Sequence, residues 1–247
     1  MLELERVRHT FDGTEVLALD SLVVPDGAFV TIVGPSGCGK STLLRIIAGV
    51  ATATAGDIRL DGVPLPTRPG YAGFMPQHDR LLPWRTARDN ATLAADIAGV
   101  DRAVSRARAD ALFDRFGLGG YETAWPHELS GGMRQRLALL RTFLTDRDLL
   151  LLDEPFGALD AITRRRMHRW LQEVLDADPR TVLFVTHDVE EALVLSDRIL
   201  VLSPRPGRVI GDLRIDDPRP RPASVTTEAS FTRRKAELLD LLESAGA

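Results

Sequence analysis

Val30-Thr31-Ile32-Val33-Gly34-Pro35-Ser36-Gly37-Cys38-Gly39-Lys40-Ser41-Thr42-Leu43-Leu44 is the stretch on which the reading of this chain turns. It fits the pattern G-x-x-x-x-G-K-[ST], with a β-branched apolar run before it and a helix-like apolar pattern after it, the context the pattern requires. Gly34, Gly37 and Gly39 let the backbone curl tightly and aim amide N–H groups inward at phosphate oxygens. The helix expected from Lys40 adds its partial positive N-terminus. On this reading Lys40 reaches the β- and γ-phosphates, Ser41 ligates Mg2+ and Thr42 supports the loop, while Pro35, Ser36 and Cys38 complete the phosphate-binding stretch. The bland alternative, a glycine-rich turn capping a helix, is disfavoured by the strand before it.

Around that loop, 247 residues suffice for one large α/β domain or for a core with an inserted subdomain. Charged residues make up 27% and the net charge is −4, so no basic field points to nucleic acid. No segment approaches about 18 consecutive apolar residues, and Met1 to Arg6 lacks the charged-then-apolar pattern of a signal peptide. A cytoplasmic chain that does not itself span a membrane is expected. Cys38 is the only cysteine, so no internal disulfide is possible, and its position in the loop suggests packing more than redox control.

Upstream, Leu2, Leu4 and Val7 alternate, and Val16 to Leu19 and Leu22 to Val24 read as further strands, separated by Asp12-Gly13 and Pro25-Asp26-Gly27 turns in an antiparallel arrangement. Phe11 either stacks on a purine base or belongs to the core. Downstream, Gly56 to Gly62 is a short strand running into an Asp-Gly turn, and Tyr71 to Met75 a strand whose carboxyl end delivers Gln77, a candidate metal and water contact. Between Thr86 and Thr145 helical spacing replaces strand signals, through Ala91 to Ala98 and Arg102 to Phe116. This helical insertion closes at His127 to Arg136, where Ser130 is a plausible N-cap and the amides from Gly131 and Gly132 onward form a second anion-facing helix start. Leu149 to Leu152 reads as a strand buried on both faces that delivers Asp153 to the Mg2+ shell and Glu154 to polarise the attacking water. Arg164, Arg165, Arg166 and Arg169 span nearly a full helical turn, which favours a solvated helix over a nucleic-acid stripe. Val182 to Val185 brings Thr186-His187-Asp188 to the same sheet edge, where His187 gains weight from its company. Arg198 to Leu202 and Val209 to Gly211 continue the sheet or form a hairpin. Asp217 to Pro222, proline at every second position, reads as an extended linker before an amphipathic helix from Phe231 to Leu242.

Gly34 to Thr42, Gln77, Leu129-Ser130-Gly131-Gly132, Leu149 to Glu154, Ala158-Leu159-Asp160 and His187 follow one another in the order of a known set. Together they resemble the Walker A, Q-loop, signature, Walker B, D-loop and switch-histidine motifs of the ATP-binding subunit of an ABC transporter. Phe11 matches that family's aromatic A-loop position. Leu81-Leu82-Pro83-Trp84, the run Glu154 to Asp160, and Pro218-Arg219-Pro220-Arg221 look like the nitrate/sulfonate/taurine importer group. Arg147, Leu140 and Thr142 depart from common residues and bear on packing, not on the ATP site.

The resemblance implies an α/β P-loop NTPase fold. A mainly parallel core with an antiparallel N-terminal β part is expected over 1–85 and 146–215, an inserted helical subdomain over 86–145, and the linker with its helix over 216–247. It implies ATP and Mg2+ as cofactors, with Glu154, His187 and Gln77 catalytic, Ser41, Gln77 and Asp153 at the metal, and Phe11, Gly34 to Thr42 and Ser130 to Gly132 on the nucleotide. It further implies a head-to-tail dimer with each ATP sandwiched between Walker A of one subunit and Ser130-Gly131-Gly132 of the other. That dimer is expected to drive a membrane permease from the inner face of the cell membrane, with an external solute-binding protein delivering the solute. Leu81, Leu82 and Trp84 form an apolar cluster in a loop, which marks Gln77 to Trp84 and the neighbouring helical insertion as the expected permease-docking surface, burial within this subunit being the alternative. Nitrate, alkanesulfonate, taurine and a heterocyclic precursor such as that of thiamine all stay open as solute. A nucleic-acid-associated ABC ATPase is disfavoured by a single cassette without a heptad arm, and a non-hydrolysing regulatory subunit by Glu154 and His187.

Overall fold

The alternating apolar residues at the N-terminus build a first, antiparallel sheet in the computed structural model, which describes residues 1–65 and 70–244. Strand β1 (Leu2–Phe11) turns through Asp12 and Gly13, both at positive φ (46° and 77°), into β2 (Thr14–Val24). The two strands expected within Val16 to Val24 are one, because Asp20 and Ser21 are exposed and the pairing runs past them, Ser21 opposite Glu5. Polar residues on a sheet's wet face do not interrupt its ladder.

Strand β3 (Phe29–Val33) is wholly buried and feeds the glycine loop into helix α1 (Lys40–Ile47). Strand β4 (Ala55–Leu60) and the short β5 (Val63–Pro64) complete the first sheet in the order β2-β1-β4-β5. The following strand, β6 (Gly73–Met75), belongs to the second sheet.

Between β6 and β7 (Leu149–Asp153) the described regular elements are all helical: α2 (Ala87–Ala91), α3 (Leu93–Ile97), α4 (Arg102–Phe113), a single 3-10 turn (Pro126–Glu128) and α5 (Gly131–Phe143). The helix expected from Ala91 to Ala98 divides at Thr92, where φ −85° and ψ 3° leave the helical range. Asn90, fully buried just before the break, donates to the carbonyls of Leu82, Arg85 and Thr86. Leu140 and Thr142 fit without strain: both are buried, and the Thr142 hydroxyl donates to the Ala138 carbonyl at 2.9 Å.

The chain then runs through α6 (Ala161–Ala177), β8 (Thr181–Val185), α7 (Val189–Leu195), β9 (Arg198–Leu202), β10 (Val209–Arg214), a 3-10 turn (Ala223–Thr227) and α8 (Ala229–Ser244). The second sheet has the order β10-β9-β3-β8-β7-β6, parallel except for β10. Alternate residues of β7 enter two cores: Leu149 and Leu151 pack with α1, Leu150 and Leu152 with α5 and α6. Coverage on both faces is why the strand reads as an unbroken apolar run.

The segment Asp217 to Pro222 has no regular structure, as its prolines dictate, but it is a docked strap where a linker was expected. Arg221 is 5% exposed and donates to the carbonyls of Leu193, Val194 and Ser196 at 3.3, 3.1 and 2.8 Å, while Arg219 pairs with Asp197 at 2.7 Å. A guanidinium is well matched to the free carbonyls at a helix C-terminus, here that of α7. Burial pulls the Arg221 guanidinium down to about 10. Phe231 and Leu238 anchor α8 beyond the strap.

Candidate nucleotide site

The register of the second sheet sets Met75 beside Leu152, Asp153 beside Val185 and Val185 beside Ile32. The residues that follow β3, β6, β7 and β8 therefore leave at one edge, at the strands' carboxyl ends. Gly34, Gln77, Glu154 and His187 are those residues or lie within two positions of the strand ends.

In the glycine loop Gly37 and Gly39 take φ of 78° and 103°, and a side chain at Gly34 would meet the Leu202 carbonyl at 2.9 Å. Lys40, 7% exposed, folds back so that Nζ donates to the carbonyls of Gly34 (2.7 Å) and Pro35 (2.9 Å). Its ammonium is thus held at the loop itself, where a phosphate would exchange with those carbonyls. Ser36 and Gly37 are exposed, and Thr42 is half-buried. The Cys38 side chain, 1% exposed, joins the apolar core behind the loop, as the packing reading expects.

Ser41 Oγ donates to Asp153 Oδ1 at 3.1 Å. A hydroxyl and a carboxylate are hard oxygen donors suited to Mg2+, which takes few protein ligands and completes its shell with water and phosphate. Burial raises the Asp153 carboxyl above its ordinary value, with Glu154 adding to the effect and Ser41 and Lys40 opposing it.

Three strand ends meet at one oxygen: Glu154 Oε2 accepts Gln77 Nε2 at 3.3 Å and lies 3.2 Å from His187 Nδ1. Glu154 sits at φ 49°, uncommon for a side-chain-bearing residue, and its N–H donates to the Val185 carbonyl at 2.9 Å. Its carboxylate is 21% exposed and the His187 ring 66%, so the pair is open to water.

Ser130 caps α5 as expected, its hydroxyl accepting the Met133 N–H at 3.3 Å. No hydrogen bond or ion pair among the described residues joins Ser130, Gly131 or Gly132 to Lys40, Ser41 or Asp153. The link runs elsewhere, through Gln135, which the sequence reading did not single out. Gln135 is 7% exposed, donates to the Glu154 carbonyl at 2.9 Å and accepts the Ala158 N–H at 2.7 Å, so the signature helix is tied to the loop carrying Glu154. The only hint in the sequence is a glutamine on the face that α5 turns inward.

Phe11 is 66% exposed, which excludes the core alternative, and lines a pocket of about 590 Å3 with Val16, Thr42 and Arg205. Arg205, also missed in the sequence, donates to the Gly37 carbonyl at 3.1 Å. The apolar cluster expected at Leu81, Leu82 and Trp84 divides. Leu81 packs against the core and Leu82 is half-buried, its N–H held by Asn90 Oδ1 at 2.7 Å, while Trp84 is 70% exposed. This loop is hooked to α5: Arg134 pairs with Asp79 at 3.1 Å, and Arg141 donates to the carbonyls of Asp79 and Arg80 at 2.6 and 2.8 Å.

Residues 18–157 match the family model described as ABC transporter. An aliphatic sulfonates import ATP-binding protein of Rhodococcus jostii is 49% identical over 244 residues, covering 97% of this chain and 92% of that protein. A taurine import ATP-binding protein of Rhizobium johnstonii is 46% identical, covering 83% and 79%. Among solved structures, a dimeric bacterial ABC transporter cassette superimposes with a TM-score of 0.81 at 29% identity, over 88% of this chain and 100% of that one. A post-hydrolysis state of the same cassette, bound to ADP and Pi, gives 0.80 over the same coverage.

Proposed function

The chain belongs to the ABC transporter family and is an ATPase of that class; from that premise we propose that it powers the import of a small sulfonate, taurine or an alkanesulfonate, through a membrane permease. The imported class rests on relatives named for aliphatic sulfonates and taurine, at 49% and 46% identity. No helix of the described residues is long and apolar enough to cross a membrane, so the pathway for solute is assigned to permease subunits. The loop through Trp84 docks them, and the subunit works at the inner face of the membrane, with an external binding protein delivering solute.

The observation that carries the catalytic reading is the meeting of Gln77, Glu154 and His187 at a single carboxylate oxygen beside Ser41 and Asp153. Lys40 and the loop amides hold the β- and γ-phosphates of ATP, and Phe11 stacks on its base. Ser41 and Asp153, with Gln77, hold Mg2+, which when bound neutralises charge on the phosphates. Glu154 orients and polarises the attacking water, and His187 holds the Glu154 side of the site in register with the γ-phosphate. Ser130, Gly131 and Gly132 complete the site from a second copy of the chain. Ser130 and Gly131 are exposed and Gly132 is half-buried at the start of α5, no hydrogen bond among the described residues joins them to Lys40, and the similar solved cassette is dimeric.

Glu154→Gln tests the reading. The amide still holds a water but is no base, so ATP is retained, turnover drops by about 100-fold or more, and an ATP-bound dimer accumulates on size-exclusion. A variant that hydrolyses at the wild-type rate and elutes as a monomer would falsify the assignment of Glu154.

A further inference from the structure

Glu191, on α7, keeps its carboxylate 4% exposed, and the proposed chemistry makes no use of it. A buried carboxylate is strongly unfavourable unless paired and hydrogen-bonded, so its partners show what it secures. Oε2 accepts the Thr186 hydroxyl at 2.7 Å, and Oε1 faces Arg164 Nε and His168 Nε2, each at 3.4 Å. The same Thr186 oxygen accepts the Asp188 N–H at 3.0 Å, and Asp188 Oδ1 accepts the N–H groups of Glu190 and Glu191 at 2.8 and 3.2 Å. The turn carrying His187 is therefore fixed on both sides of the histidine. Among the described residues the exposed His187 ring has one polar contact, with Glu154, so its position is set by that turn.

Arg164, on α6, extends the brace to the other half of the pair. Nη2 donates to the Leu159 carbonyl at 3.0 Å, and Nη1 lies 3.5 Å from Asp188 Oδ2. Leu159 belongs to the loop that leaves Glu154, closed by Gly157 N–H to the Glu154 carbonyl (3.2 Å) and Leu159 N–H to the Phe156 carbonyl (3.1 Å). One guanidinium thus joins the segment holding Glu154 to the turn holding His187, and Glu154, Arg164, His187 and Glu191 line one small cleft between them.

We propose that Arg164, Thr186 and Glu191 are positioning residues for hydrolysis, setting the approach of His187 to Glu154 so that the two move as a unit. This rests on the reading of Glu154 and His187 given above. Neither Arg164 nor Thr186 touches the nucleotide on that reading, so their loss is expected in kcat and not in KM.

The test measures ATPase kinetics of Arg164→Met, Arg164→Lys and Thr186→Val, with Glu154→Gln and His187→Ala as references and rates counted per molecule competent to bind nucleotide. Arg164→Met and Thr186→Val should lower kcat by about tenfold or more with KM for ATP changed by less than about twofold. Arg164→Lys restores the charge but not the fork that spans Leu159, Asp188 and Glu191, and should stay within about threefold of Arg164→Met. If Arg164→Met does not fold, Thr186→Val, a near-isosteric change, decides alone. The proposal is overturned if the references lose turnover while Arg164→Met and Thr186→Val keep wild-type kcat, or if lysine restores full activity. It is also overturned, together with the reading beneath it, if the references themselves keep turnover.

Discussion

Lys40 shows how one residue is prepared for a ligand by the shape of the chain around it. Its ammonium is buried yet satisfied by the Gly34 and Pro35 carbonyls, so it is desolvated in advance at the loop proposed to receive phosphate. Lys40→Ala removes that charge while leaving the glycine geometry of the loop in place. ATP affinity should fall by about tenfold or more and hydrolysis should be lost, with the circular dichroism spectrum unchanged; wild-type turnover in this variant sinks the phosphate-loop assignment. Arg205 and Gln135 also reach the motif residues, one on the loop carbonyl of Gly37 and the other on the carbonyl of Glu154. Neither stands in a pattern whose chemistry could be read in advance, because each acts on backbone groups that only the folded chain brings to it.

Elements carry consequences that their residues taken singly do not. The strap from Asp217 to Pro222 closes the C-terminal end of α7, where Arg221 donates to the Leu193, Val194 and Ser196 carbonyls. Arg221→Met leaves those acceptors without their charged donor, and about 2 kcal/mol of stability should be lost. An unchanged denaturation midpoint would mean that the strap is undocked in solution. The loop from Gln77 to Trp84 is the other such element, since it touches Glu154 at one end, exposes Trp84 at the other and is tied to α5 by Arg134 and Arg141. Trp84→Glu places a charge on the proposed permease-docking surface. Basal ATPase should be spared and solute-coupled transport in reconstituted vesicles lost; transport at the wild-type rate removes the docking role.

On the proposed reading the whole molecule carries two halves of one site, and no hydrogen bond or ion pair among the described residues joins them within a single chain. If ATP is sandwiched between Lys40 of one copy and Ser130 of another, Lys40→Ala and Ser130→Arg homodimers are both inactive, each with both sites broken. Mixed together, the two variants form dimers in which one interface collects both defects and the other pairs an intact loop with an intact signature. One nucleotide per mixed dimer should then be trapped, and a photoreactive ATP analogue should crosslink to both chains. Arginine is the sharper block at position 130, since it fills the space of the γ-phosphate where alanine would leave the backbone donors in place. Trapping no greater than that of either variant alone rules out a site shared between copies.

Local chemistry was legible in the sequence wherever it depends on residue types at fixed spacing along a strand, loop and helix. The glycine loop from Gly34 to Lys40, the buried run into Asp153 and Glu154, and the Ser130 cap are all of that kind, because neighbours in sequence are there neighbours in space. The strands of the second sheet and the helical stretch before β7 followed from hydrophobic period, which burial on one or two faces imposes, while the mainly parallel arrangement was expected from the family resemblance. Tertiary structure alone decided the rest. It put Phe11 in solvent beside Thr42, folded Leu81 back against the core while Trp84 stayed out, and docked the proline strap through Arg221. Contacts between residues far apart in the chain are set by how the two faces of the sheet are packed, and no local pattern encodes which carbonyl a guanidinium or an amide will find.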